Sequence, residues 1–128
     1  MKYHHTGCLV ENLETEKKYY REFLNLTVGD NIYISEQDVT VCFVTLADDI
    51  YLELVQPAEE NKSLRKLIQK GITYYHIAFV TNNFEAEFQR LVNSDHLIIS
   101  RFKSEAFNNR WCAFFLTPER KLIEVIEG

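Results

Sequence analysis

Glycine and proline are scarce, with four and two residues respectively in a chain of 128. That scarcity excludes collagen-like repeats and Gly/Pro-rich disordered segments. Long apolar runs are missing as well: none approaches the roughly 20 residues a membrane-spanning helix needs. The opening MKYHHTGCLVENLE lacks the basic-then-apolar layout of a secretory leader. These absences lead us to expect a cytoplasmic protein with no membrane partner. The three cysteines, Cys8, Cys42 and Cys112, are an odd number, far apart and set in apolar strand-like runs. They read as small buried hydrophobes in a reducing compartment, not as a disulfide framework or a thiolate zinc site. Positive charge is not in excess either. A formal net charge of −5 argues against a nucleic-acid partner, because phosphate binding needs a basic surface. Local basic spots at Arg65 and Lys66, and at Arg101, Lys103 and Arg110, read mainly as solvated surface with room for a small anionic molecule.

What is present is an ordinary globular composition, 46% apolar and 26% charged, in a length that suits one domain with a real core. An internal repeat organises it. Sliding the sequence over itself by 71 positions puts His5 on His76, Leu9 on Val80, Asn12 on Asn83, Leu13 on Phe84, Glu14 on Glu85 and Glu16 on Glu87. The same offset puts Phe43 on Phe114, Leu52 on Ile123, Glu53 on Glu124 and Leu54 on Val125.

Local patterning agrees with two copies of one unit. His4 to Val10 reads as a strand. A helix capped near Asn12 runs to about Phe23, with Leu13, Tyr20, Phe23 and Leu24 on one face. Leu26 to Ser35, Val39 to Leu46 and Ile50 to Gln56 read as strands, separated by polar turns at Gln37–Asp38 and Ala47–Asp49. A polar break follows, with a short helix capped at Ser63 and ended by Gly71. The second copy repeats the order: strand Tyr74 to Val80, helix Asn83 to Asn93, then strands Leu97 to Phe102, Trp111 to Leu116 and Leu122 to Ile126. Lys103 to Arg110 is the longest polar loop within a copy and a candidate lid. The expected organisation is one domain: a first βαβββ module over about 1–57, a linker over 58–72 and a second module over about 73–128.

Four polar residues stand out against the alternation of strand faces. Ile77 and Phe79 would pack on a helix, which turns His76 to the other face. Leu52 and Leu54 do the same for Glu53, and Ile123 and Val125 for Glu124. A lone carboxylate in the middle of an apolar strand costs several kcal/mol unless it is paired or ligated. His5 to Glu53 and His76 to Glu124 are both 48 residues apart. If the copies pack about a pseudo-twofold axis, two imidazoles and two carboxylates converge, a set suited to a divalent ion with open positions. The plainer reading stays open at this point: a single strand histidine is usually a hydrogen-bonded core or surface residue, and a single strand glutamate usually faces water. His4 is expected on the opposite face from His5 as a structural residue, and His96 in a solvated turn.

At these residues the chain resembles the vicinal oxygen chelate superfamily of glyoxalases, bleomycin resistance proteins and dioxygenases. His5-Thr6-Gly7-Cys8-Leu9-Val10 followed by Asn12-Leu13-Glu14 resembles its first strand and helix start, and Tyr19-Tyr20 with Phe23-Leu24 and Leu26 resembles its helix end. Within the superfamily the strongest likeness is to methylmalonyl-CoA epimerase: Glu36-Gln37-Asp38-Val39 with Phe43-Val44-Thr45-Leu46, Tyr51-Leu52-Glu53-Leu54-Val55-Gln56-Pro57, and Tyr75-His76-Ile77-Ala78-Phe79. The resemblance implies an α+β fold of two βαβββ modules, whose mixed sheet curls into an open cup with the helices outside. It carries metal-ligand roles onto His5, Glu53, His76 and Glu124, and a catalytic carboxylate role onto Glu124, with Glu53 second. It implies one divalent metal ion (Zn, Ni, Co, Mn or Mg), a small-molecule substrate such as a coenzyme A or glutathione thioester, and a homodimer. The implied chemistry is that of an isomerase, epimerase or lyase forming an enolate; the alternative is a non-catalytic small-molecule or antibiotic binder. Two departures bear on substrate. Val41 stands where some epimerases carry a second acid, and Ser104-Glu105-Ala106-Phe107-Asn108-Asn109-Arg110 replaces a Gly-rich loop.

Overall fold

The computed structural model describes residues 1–128. In chain order the elements are strand β1 (Lys2–Leu9), helix α1 (Leu13–Glu22) and strands β2 (Thr27–Val28), β3 (Ile32–Ile34), β4 (Val39–Ala47) and β5 (Ile50–Pro57). Helix α2 (Lys62–Gln69), strand β6 (Tyr74–Thr81), helix α3 (Phe84–Val92) and strand β7 (Leu97–Ser104) follow. A 3₁₀ turn at Glu105–Phe107 precedes strands β8 (Arg110–Leu116) and β9 (Leu122–Glu127). All strands join one mixed, open sheet in the order β2-β4-β5-β1-β6-β9-β8-β7, with β3 also beside β4. The two halves meet at an antiparallel β1–β6 seam. On either side β1 pairs with β5 in parallel and β6 with β9 in parallel.

Helix starts follow their caps. The Asn12 side chain accepts from Thr15 N–H and that of Asn83 from Ala86 N–H, satisfying amide donors that the first turn leaves free. Acidic residues Glu14 and Glu16, and Glu85 and Glu87, occupy both first turns, where the helix dipole favours negative charge. The linker helix is capped two residues earlier than expected: Asn61, not Ser63, accepts from Leu64 N–H. Gly71 ends this segment at φ +79°, a conformation glycine adopts without a Cβ clash.

Helices α1 and α3 cover the outer face of the sheet on its two flanks, whereas α2, expected outside like the others, packs against the inner-face cluster. Val10, Leu13, Cys42, Val44 and Leu54 pack under α1, and Phe84, Phe88, Leu91, Ala113, Phe115 and Val125 under α3. The inner face is filled by a third cluster that includes Leu9, Val39, Val41, Val55, Ala78, Phe102, Phe107, Phe114 and Ile126. Linker residues Leu64, Leu67 and Ile68 pack against it. Each such side chain taken fully from water contributes roughly 1.5–3 kcal/mol.

Several expectations are corrected. The single strand expected over Leu26 to Ser35 is two short strands, because after Gly29, whose N–H still donates to the Phe43 carbonyl, Asp30 and Asn31 leave the ladder. Phe23 and Leu24 are exposed and Lys17 is buried on α1 instead; its amine bonds the Asn31 side chain at 2.8 Å. Ile77 and Phe79 do not sit under a helix. They lie at the seam, which neither α1 nor α3 reaches, and are half-buried. The expected lid over Lys103 to Arg110 is mostly ordered structure. Strand β7 runs to Ser104, and Phe107 is buried. Glu105 accepts from Ser35 N–H at 3.3 Å and from its hydroxyl at 2.8 Å, so this turn is tied across to the first half. Cys42 and Cys112 are buried and Cys8 half-buried, all as free thiols. No helix is long and apolar enough to cross a membrane.

Candidate metal centre

The strand order β5-β1-β6-β9 decides the site. Alternation turns Glu53, His5, His76 and Glu124 onto the inner face of these four neighbours. The outer strands of the group bring the two carboxylates toward the central histidine pair from either side. His5 Nε2 and His76 Nε2 are 3.0 Å apart. Glu53 Oε1 lies 3.4 Å from His5 Nε2 and 3.3 Å from His76 Nε2. Glu124 Oε1 lies 3.3 Å from each. The ligand atoms of His5, His76 and Glu124 all lie within 4.8 Å of one another, and Glu53 joins them through its contacts with the imidazoles. All four expected site residues are therefore brought together.

These separations suit a shared ion. Two donors each about 2.1 Å from one ion stand about 3.0 Å apart at a right angle and about 3.4 Å apart at a tetrahedral angle. The donor set fits too, since imidazole and carboxylate together accept borderline and hard divalent ions. His5, His76 and Glu124 could hold such an ion with little movement, whereas Glu53 falls outside the group whose ligand atoms all lie within 4.8 Å of one another and would have to draw closer to Glu124 to share it.

The cluster is closed to water, with residue exposures of 0–3%. Aromatic rings do the closing. Phe43 meets His5 edge-on at 5.4 Å and Phe114 meets His76 edge-on at 5.1 Å. These two phenylalanines are themselves related by the 71-residue offset, which marked them as a pair without showing that they wall the site. Phe107 stacks on His5 at 6.0 Å and 20°. Tyr75 lies edge-on to His76 at 4.8 Å. Its hydroxyl pKa is pushed up to about 12, first by burial and then by the charges of Glu53 and Glu124. Gly7 presses on His76: a Cβ there would fall 2.3–2.8 Å from three atoms of the ring. A glycine inside an apolar strand hints at such a close approach.

One assignment is reversed. His4 does not point away from His5. The ladder between β1 and β6 slips between Tyr3 and His5, and such a bulge breaks the alternation of faces. His4 Nδ1 lies 2.8 Å from His5 Nδ1, and its ring touches Phe43, Tyr51 and Phe107. His4 also borders a cavity of about 230 Å³ lined by Lys2, Tyr3, Asp49, Tyr51, Val80 and Arg110. Burial, then the neighbouring His5, lowers its pKa to about 4. His96 is half-buried, with Nδ1 2.9 Å from the Ser94 carbonyl.

Without a metal, the four groups stabilise one another as two ion pairs. Burial alone would neutralise His5, but Glu53 and Glu124 overcome it and raise its pKa from 6.5 to about 10. His76 is raised for the same reasons. Burial alone would raise Glu53 and Glu124, yet the two imidazolium neighbours hold both carboxyls below their ordinary value of 4.5. The histidines thus contribute stability that is complete below pH 6.5 and disappears as pH rises through about 10. The glutamates contribute stability that is complete above pH 4.5 and disappears as pH falls through their lowered values. Chelator-treated protein is expected to show its highest thermal midpoint between these limits and a falling midpoint from pH 6.5 toward 10. A midpoint that rises over that interval would contradict the paired state.

Comparison with known proteins agrees with this architecture. Residues 4–114 match the model of the Glyoxalase/Bleomycin resistance protein/Dioxygenase superfamily. An uncharacterized protein of Bacillus subtilis (strain 168), YqjC, is 28% identical over 126 residues, covering 96% of this chain and 89% of its own. The crystal structure of hypothetical protein BH1468 from Bacillus halodurans superposes with a TM-score of 0.84 at 22% identity, covering 99% of this chain and 94% of that one. A Streptomyces coelicolor methylmalonyl-CoA epimerase in complex with 2-nitronate-propionyl-CoA superposes with a TM-score of 0.82 at 20% identity, covering 100% and 97%. Likenesses at these identities establish the fold, and the family match covers most of the repeat that builds the four-residue cluster. The chain belongs to the Glyoxalase/Bleomycin resistance protein/Dioxygenase superfamily.

Proposed function

We propose that His5, Glu53, His76 and Glu124 bind one divalent ion, and that the protein is a metal-dependent isomerase, epimerase or lyase acting on a small carbonyl compound through an enolate. The observation that carries this reading is the set of five contacts of 3.0–3.4 Å among two imidazoles and two carboxylates in a site closed to water. Ions of this class, when bound, supply the Lewis acidity that makes a proton beside a carbonyl removable. Glu124 is the base that takes this proton, and Glu53, reaching the histidine pair from the other strand, is the second candidate. His5 and His76 hold the centre. Phe43, Phe107 and Phe114 keep water from the carbanion, while Phe107 must lift from His5 to admit substrate.

The substrate class in this proposal is a thioester, by analogy with the epimerase likeness; the protein would act in the cytoplasm as a homodimer. Val41 is buried in the inner cluster, so a second acid is lacking at that position and Glu53 would have to return the proton. The filled inner face favours a second reading, in which the same fold binds a small molecule without chemistry.

Elemental analysis of purified protein, followed by zinc titration of the chelator-treated form, tests the metal. One equivalent bound at micromolar affinity or tighter is expected, and no binding refutes it. Deuterium exchange at the α-carbon of methylmalonyl-CoA tests the epimerase reading, and consumption of the methylglyoxal–glutathione hemithioacetal tests a glyoxalase. A protein that binds zinc yet performs neither reaction favours the binding role.

A further inference from the structure

The two halves of the cluster are not equivalent, and the difference lies behind the histidines. His5 Nε2 faces the carboxylates, while its other ring nitrogen meets His4 Nδ1 at 2.8 Å. His76 Nε2 faces the same carboxylates, but His76 Nδ1 is buried without any hydrogen-bond partner. His4 and Tyr75 occupy equivalent places in the repeat, each just before a cluster histidine. A slip in the ladder frees this preceding residue in both halves, skipping His4 between Tyr3 and His5 and Tyr75 between Gly7 and Cys8, so the difference lies in the side chain and not in the backbone. In the second half Tyr75 meets the His76 ring edge-on, and Gly7 packs against the same ring, so no acceptor reaches Nδ1.

We propose that His4 is a positioning residue for the metal-binding form of the site, accepting a hydrogen bond from His5 Nδ1 and so holding the His5 Nε2 lone pair toward the ion. This rests on the metal-binding reading above. The chemistry leaves one arrangement. A neutral imidazole carries a single N–H, and the nitrogen that ligates must be bare. His5 ligating through Nε2 therefore carries its proton on Nδ1. That N–H points at His4 Nδ1, which must then be bare, with the His4 proton on Nε2. The opposite assignment, His4 donating, would put the His5 proton on Nε2 and block the ion. An outer hydrogen bond of this kind fixes the tautomer and ring orientation of a ligand and raises its basicity. His5 is thus the anchored ligand and His76 the one held by packing alone.

Two substitutions separate this role from simple filling of space among Phe43, Tyr51 and Phe107. His4→Phe keeps an aromatic ring but removes the acceptor. His4→Asn discards the ring but places an amide oxygen where Nδ1 stood. Zinc affinity of the chelator-treated full chain is measured by competition with a chromophoric chelator, with circular dichroism as the check on folding. His4→Phe is expected to bind zinc roughly 10–100-fold more weakly, and His4→Asn to remain close to the unsubstituted protein. Unchanged affinity in His4→Phe, or an equal loss in both variants, overturns the positioning role while leaving metal binding in place. An unsubstituted protein that binds no zinc overturns the metal reading and this inference with it. Long-range ¹H–¹⁵N correlation spectra of the unsubstituted zinc form give a readout independent of any variant. Protons on His5 Nδ1 and His4 Nε2 are expected, and a proton on His4 Nδ1 overturns the inference.

Discussion

Replacing Glu124 with glutamine is expected to abolish metal-dependent proton exchange while leaving a folded protein. The substitution keeps the shape of the side chain on β9 but removes the charge 3.3 Å from both imidazoles. Losing an outer support of a metal ligand typically costs 10–100-fold in affinity, and the ligand itself should cost at least about 100-fold. Removing a positioned general base costs a further factor of about 10²–10⁴. In the metal-free protein the effect on stability is smaller than for an ordinary broken ion pair, because His76 can shed its proton once Glu124 is gone. Circular dichroism should therefore show a native fold, and elemental analysis little or no bound metal. His76→Ala should lose metal to the same degree. Full metal content in both variants would assign the ligand roles elsewhere, and full exchange activity in Glu124→Gln would remove it as the base.

Gly7→Ala is expected to damage the site as severely as losing a ligand, although Gly7 carries no functional group. The added methyl would stand 2.3 Å from His76 Cε1, 2.6 Å from Nδ1 and 2.8 Å from Nε2, closer than carbon and nitrogen atoms can approach. The ring is held on its other sides by Tyr75 and Phe114, and strand β6 is paired on both edges, so neither can yield cheaply. Overpacking of this kind costs about 1–3 kcal/mol, which lowers the midpoint of a domain this size by several degrees. Relief comes from rotating His76, and with it Nε2 leaves the centre. The repeat provides the comparison. Ala78 occupies the equivalent place in the second half and is itself fully buried, so a methyl is tolerated beside one histidine and not the other. Loss of zinc binding together with a lowered midpoint is the expected result; a variant with unchanged affinity would show that the ring is free to shift.

The sequence by itself determined the repeat, the outline of most elements and the side of the sheet on which four polar residues fall. These follow from local rules. A period of two in Leu52–Leu54 and Ile123–Val125 leaves Glu53 and Glu124 on the other face, and an offset of 71 residues aligns the strands that carry the histidines. Caps at Asn12 and Asn83 are short-range hydrogen bonds and equally legible. The tertiary structure alone decided how the surroundings of the cluster are built. The slip in the β1–β6 ladder that turns His4 inward depends on where two strands distant in sequence fall out of register. The half-exposed seam at Ile77 and Phe79 depends on how far α1 and α3 reach, which neither helix encodes alone. The seating of Phe107 on His5 depends on Glu105 bonding Ser35, 70 residues away. Alternation and spacing act along one strand and are written in its residues. Register, reach and closure are set by packing between strands, and only the assembled sheet fixes them.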